Sequence, residues 1–274
     1  MNVRKTLLLA VRRFLAIDGA HRAAAFAYYA LFSLPSLLVL FVTIGSFFVD
    51  RSVAADAVVS YVENYLPLET AGRDRIFSAI VDAVSVRAPV GAIALVLLVW
   101  SAIQFFNALI LAVNRAWNTR PLDWWHQPLR GLALLGVMVG AFVVGIGVPL
   151  VANFIGSLVR PSPGQNPAGF VALTLVLPLL IEFYGLSLFY RLALRRQTSF
   201  SEVWFAALLV TAALRFLQWL FVVYVANFGH MNAVYGAFGA VIVLLLWTYV
   251  AGWVVIMGSC LSAAQAEVSR GSAR

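Results

Sequence analysis

The chain has 274 residues, 63% of them hydrophobic and 11% charged, with a formal net charge of +8 and a mean hydropathy of +0.93. So little polar surface excludes a water-soluble globule of this size, and the composition predicts an all-α polytopic membrane protein. The basic excess lies in short clusters between apolar runs, where it sets orientation and meets anionic headgroups rather than nucleic acid.

Residues 3–17 place Val3, Leu7, Leu8, Val11, Phe14 and Leu15 on one helical stripe, and Lys5, Arg12 and Arg13 on another. That predicts an N-terminal amphipathic helix, lying in the membrane interface or docked on the bundle. Arg4 and Leu9 break the pattern, and Asp18-Gly19 marks the turn that follows. Arg12 and Arg13 interrupt what would be the apolar core of a cleavable signal, so the first span is expected to direct insertion.

Six spans are expected, at 26–49, 90–113, 132–159, 170–190, 203–226 and 234–264, since about 20 apolar residues suffice to cross the hydrocarbon. Pro35 is expected to kink the first, with Ser33 and Ser36 serving the freed backbone groups, and Pro178 to break the fourth. Residues 50–88 form an extracytoplasmic helical cap. There Ala54, Ala57, Val58, Tyr61, Val62, Tyr65 and Leu66 make one amphipathic face, and Ile76, Phe77, Ile80, Val81 and Val84 a second. In the second span, Gln104 and Asn107 stand one turn apart, placed to bond a neighbouring helix or to touch a substrate. Gly136 and Gly140 in the third allow close helix approach, and Cys260 in the last offers neither a disulfide nor a metal site.

Orientation follows from the basic residues. Thirteen of the 19 Lys and Arg fall on the side of the two termini and five on the side of the cap, which predicts cytoplasmic termini. Two formal charges remain inside spans. Glu182 lies about 13 Å from the cytoplasmic end of its span and Arg215 about 19 Å from the same end of the next. Charges at that depth are functional candidates by default, and spans four and five form an antiparallel hairpin in which the two side chains could meet. Such a pair either holds two helices together or opens for a charged substrate. His21, His126 and His230 are scattered, and no zinc, phosphate-loop, dinucleotide or serine-elbow motif occurs, so no catalytic, metal or cofactor site is expected.

Three stretches carry a family resemblance: AAAFAYYALFSLPS from Ala23 to Ser36; Asn114, Trp117 and Arg120 after the second span; and Tyr235-Gly236 with Trp247 and Tyr249 in the sixth. With the length and span order they resemble the YihY/BrkB family of bacterial inner-membrane proteins, once labelled ribonuclease BN. The resemblance implies a six-helix protein of the cytoplasmic membrane and no catalytic set. It also implies a Gly-Ala-Glu-Leu-Asn sequence near the end of the last span, where this chain reads Gly258 followed by SCLSAAQAE, without the carboxylate.

The residues favour a transporter or lipid-handling protein for a small or amphiphilic, anionic substrate. Glu182, Arg215, Tyr28, Tyr29, Ser33, Pro35, Gln104, Asn107 and Tyr235 are the candidates to line its path. A non-transporting assembly protein is the alternative, and a membrane-bound ribonuclease comes last. The expected partners are membrane lipids, with a second copy of the chain or another protein on the cap, and no nucleic acid.

Overall fold

The computed structural model describes residues 3–46, 50–63, 88–119, 126–141, 167–196, 198–228 and 232–271, and every regular element among them is an α-helix. These are α1 (Val3–Ala16), α2 (Gly19–Gly45), α3 (Arg51–Glu63), α4 (Ala88–Ala116), α5 (residues 126–141), α6 (Pro167–Ala193), α7 (Phe200–Phe228) and α8 (Asn232–Gly271). The expected spans 26–49, 90–113, 170–190, 203–226 and 234–264 fall on α2, α4, α6, α7 and α8. The first ends early, at Gly45, and most helices run a few residues past the apolar limits. Among the described residues two helices, over Glu202–Tyr224 and Val241–Val268, are long and apolar enough to cross a membrane, with mean hydropathies of 1.9 and 2.2. The two halves of α2, Gly19–Leu34 and Ser36–Gly45, together make a third, bent by 48° beside Pro35. The second cap helix and residues 142–159 of the third span lie outside the described residues.

α8 is the hub: it packs against α1, α2, α4 and α7, and α2 packs in turn against α3 and α4. Lipid tails are as apolar as leucine, so helices in a bilayer associate through close packing and polar contacts rather than through expulsion of water. The interior accordingly holds small and hydroxylated side chains such as Ala23, Ala102, Ala206, Ser187 and Ser262, while Phe32, Val96, Trp100, Phe216 and Trp219 face outward. Two glycines set the approach of α8. At Gly252 a Cβ would come within 2.5 Å of Phe26, and at Gly258 it would collide with Val210 and lie 2.5 Å from the Tyr190 hydroxyl. That buried hydroxyl donates to the Val255 carbonyl at 2.8 Å. The expected close approach at Gly136 and Gly140 is not found: both are exposed, with nothing within 4 Å among the described residues. Four-residue spacing of glycines recurs wherever a helix tolerates small residues, and only what lies opposite decides their role.

Hydroxyls inside the helices bond back to their own backbone, as in Thr211 to Ala207 O at 2.9 Å and Thr248 to Leu244 O at 2.8 Å. Ser33 does likewise, donating to Ala30 O at 3.2 Å, one residue short of the Leu31 carbonyl that Pro35 leaves without its helical partner. Pro178, expected to break its span, sits inside a continuous α6.

The helix ends that the sequence places in the cytoplasm meet around Asn114, the last-turn residue of α4. Its amide donates to Ile110 O at 2.8 Å and to Ala193 O at 2.7 Å, at the end of α6. Its Oδ1 accepts from the Arg195 backbone N–H at 3.0 Å and the Thr119 hydroxyl at 2.9 Å. Arg13 of α1 donates to Ala116 O at 2.8 Å and pairs with Glu267 at the end of α8. Arg130 donates to the Leu192 and Leu194 carbonyls. The terminal carbonyls of two helices, which have no partner within their own helix, thus receive amide and guanidinium donors. Burial first, then the charge of Arg195, lowers the Arg130 pKa, but from so high a starting value that it stays a cation.

α1 docks by one edge of its apolar stripe. Thr6, Ala10 and Phe14 are buried, the Phe14 ring lying 4.7 Å from that of Trp253, whereas Leu7, Leu8, Val11 and Leu15 stay exposed. Asp18 takes the left-handed turn at φ 53°, and Phe14 fills the space a side chain at Gly19 would need. α3, which falls on the first helix of the expected cap, seats Ala54, Ala55, Val58 and Val59 on Leu38, Phe41 and Val42 of α2. Its expected face holds at Ala54 and Val58, but is widened by Ala55 and Val59.

Asn114→Leu is expected to destabilise the detergent-solubilised protein by about 2–4 kcal/mol, because it orphans the Ala193 carbonyl and the Arg195 N–H together. Gly258→Val is expected to cost about 1–3 kcal/mol by forcing α8 away from Val210 and Tyr190. Thermal unfolding followed by circular dichroism measures both, and a loss under about 0.5 kcal/mol at Asn114 would contradict the first.

Candidate functional site

Glu182 on α6 and Arg215 on α7 are brought together. Arg215 Nε lies 2.7 Å from Glu182 Oε2, and the two side chains keep 29% and 22% of their surface open. The pair is close but not aligned, since neither atom makes a hydrogen bond of good geometry. Arg215 instead directs Nη1 to Gln218 Oε1 at 3.2 Å, one turn along its own helix. A guanidinium has five donors in a planar fork, and among the described residues this one makes one well-aligned bond, to a neutral amide. A carboxylate contact of this kind holds charge against charge while leaving donor directions for a further anion.

Among the described residues, Gln104 and Asn107 bond each other rather than a neighbouring helix. Asn107 Nδ2 donates to Gln104 Oε1 at 3.2 Å within α4, which leaves Asn107 Oδ1 buried and without a partner among the described residues. With Trp100, Ile103, Gln127 and Pro128 they line a cleft of about 230 Å³ between α4 and the start of α5. Neither this cleft nor the one on α1 described below is lined by Glu182 or Arg215. The α2 candidates divide. Tyr28 and Tyr29 point outward, their rings 5.7 Å apart, whereas Ser33 is buried in the packing. The side chains of Pro35 and Tyr235 lie outside the described residues. The structure therefore assembles the candidates into local pairs.

At Cys260, where the family resemblance implies a carboxylate, the thiol is buried in the hub. The nearby cation Arg13 reaches the carboxylate of Glu267, seven residues on and so on the same face of α8. Asn114, Arg13, Arg130 and Tyr190 are the polar residues that chain-order reading missed as contacts. An Asn in the last turn of an apolar run is the one signal that could have marked them.

The model of a family described as virulence factor BrkB matches residues 10–274. The chain belongs to the BrkB family. It is similar to the ribonuclease-like protein YfkH of Bacillus subtilis, 25% identical over 90% of each chain. It is also similar to a UPF0761 membrane protein of Xanthomonas oryzae, 27% identical over 93% of this chain and 59% of that one. A UPF0761 membrane protein of Neisseria meningitidis is 27% identical over 96% of this chain and 63% of its own length. The chain thus spans about six-tenths of these longer BrkB relatives. No solved structure matches it. This BrkB-family chain is an integral membrane protein.

Removing one member of the Glu182–Arg215 pair strands the other charge in a poorly hydrated place. Arg215→Met is therefore expected to lower stability more than Arg215→Met combined with Glu182→Gln, with a coupling of about 1–2 kcal/mol. A double-mutant cycle of unfolding in detergent measures it; additive effects would show that the two charges do not interact.

Proposed function

We propose that this BrkB-family chain is a six-span protein of the bacterial cytoplasmic membrane that moves or handles an amphiphilic, anionic substrate, with Arg215 as the contact for the anionic group. The observation that supports this reading is the misaligned, part-open Glu182–Arg215 pair at the α6–α7 hairpin. An arriving phosphate or carboxylate exchanges with Glu182 for the guanidinium fork, so the site trades one anion for another and leaves no bare charge in the hydrocarbon. The apolar part of the substrate rests on the outward side chains that flank the pair, Leu179, Tyr184, Phe216 and Trp219. In support of cytoplasmic termini, Arg13, Arg130, Arg195 and Arg196 gather with the helix ends at one end of the bundle, as a basic cytoplasmic face requires.

A second reading, a non-transporting assembly protein, draws on the Gln104–Asn107 bond within α4 and on α3 seated over α2, where a partner would dock on the cap. The name of the B. subtilis relative is the only support for a nuclease, and intact RNA after incubation of purified protein with Mg²⁺ or Zn²⁺ removes that reading.

Vesicles reconstituted with the protein and a fluorescent anionic phospholipid distinguish the first two. Handling of lipid predicts protein-dependent transbilayer movement that Arg215→Ala reduces at least tenfold, with Arg215→Lys retaining part of it and both variants keeping wild-type helicity. Equal rates with and without protein would contradict the proposal and favour the assembly reading.

A further inference from the structure

Docking through Thr6, Ala10 and Phe14 consumes only one side of α1. At 100° per residue the exposed positions Leu7, Val11, Leu15 and Leu8 form an apolar arc that begins beside Phe14 and turns away from the docked side. Leu15 is 68% and Leu8 56% exposed. The exposed Arg4 projects from the middle of this arc, and the exposed Arg12 and Lys5 lie along one edge of it. Arg4, Lys5, Leu8, Leu9 and Arg12 enclose a shallow groove of about 310 Å³. The helix carries no acidic residue. It is also clamped: Phe14 sits on Trp253, and Arg13 is held by Ala116 O and Glu267. The free face is thus fixed in direction, at the end of the bundle where the other helix ends and their arginines collect.

We propose that this outward face of α1 is a binding site for anionic phospholipid, with the headgroup phosphate held among Arg4, Lys5 and Arg12 and the upper acyl chain laid over Leu8, Leu15 and their apolar neighbours. Three cations converging on one groove select a negative partner, and leucines directly beside them select one with an apolar tail. A free phosphate meets only half of that chemistry. The site is separate from Arg215 and does not depend on any transport activity.

The test uses the full chain in neutral detergent, titrated with dioleoyl phosphatidylglycerol or dioleoyl phosphatidylcholine, with bound lipid counted by native mass spectrometry. Phosphatidylglycerol is expected to bind more tightly than phosphatidylcholine, and each cation to contribute about fivefold, so that Arg4→Gln/Lys5→Gln/Arg12→Gln removes most of a preference on the order of a hundredfold. Leu8→Ser/Leu15→Ser is expected to weaken both lipids, and inorganic phosphate to displace neither. If the triple variant does not keep wild-type helicity, the single Lys5→Gln is expected to show the fivefold step alone. An unchanged preference in the cation variants, or displacement of the lipid by inorganic phosphate, would overturn the proposal. So would a fall in oligomeric state of the leucine variant with lipid binding unaltered, which would assign the face to a second copy of the chain.

Discussion

In hydrocarbon no water is available to a backbone N–H or C=O, so each must find a partner in the protein. That constraint makes the described part of this chain helical throughout, and it leaves the helix ends as the places where the fold must be closed by something else. Asn114 does this for the end of α6 while serving its own helix, Arg130 serves two more carbonyls there, and Arg13 serves the end of α4 while pairing with α8. A helix C-terminus carries a partial negative charge, so amides and guanidinium groups are the side chains that fit. Basic residues therefore tie the helices together at one end.

Tight packing along α8 is the second consequence. Without hydrophobic expulsion between helices, association depends on how closely the backbones come. Gly258 lets Tyr190 and Val210 occupy the volume of a missing side chain, and Gly252 does the same for Phe26. The α6–α7 hairpin is attached near the C-terminal end of α6 through Asn114 and Tyr190, while much of its outer surface remains large and apolar. The Glu182–Arg215 pair sits in this less enclosed part of the molecule.

Among the described residues, helix identity was legible in the sequence because apolar runs bounded by charge, Pro or Gly report the medium they meet. The Asp18-Gly19 turn and the bend beside Pro35 follow from backbone chemistry and appear where expected. Facing was less legible. The stripe of α1 allows either an interfacial or a docked helix, and the helix docks through Thr6, Ala10 and Phe14 at one edge of that stripe, because in a membrane protein the leucine face has a second apolar medium to meet. For the same reason Gly136 and Gly140 could not be told from Gly252 and Gly258, whose role depends on Phe26, Val210 and Tyr190, far away in sequence. Glu182 and Arg215 were readable as a pair because a charge in an apolar run is costly enough to narrow its partners. Gln104 and Asn107 are neutral, and nothing in their spacing distinguishes a bond within the helix from one between helices.

The account rests on α1, the end of α4 and the end of α6 lying on one side of a membrane and α3 on the other. Single-cysteine accessibility in intact cells tests this directly, using Lys5→Cys, Arg115→Cys, Arg191→Cys and Asp56→Cys in a Cys260→Ala background with a membrane-impermeant maleimide. The account predicts that only Asp56→Cys is labelled until the membrane is opened, after which all four react. Labelling of Arg115→Cys or Arg191→Cys from the same side as Asp56→Cys would contradict it.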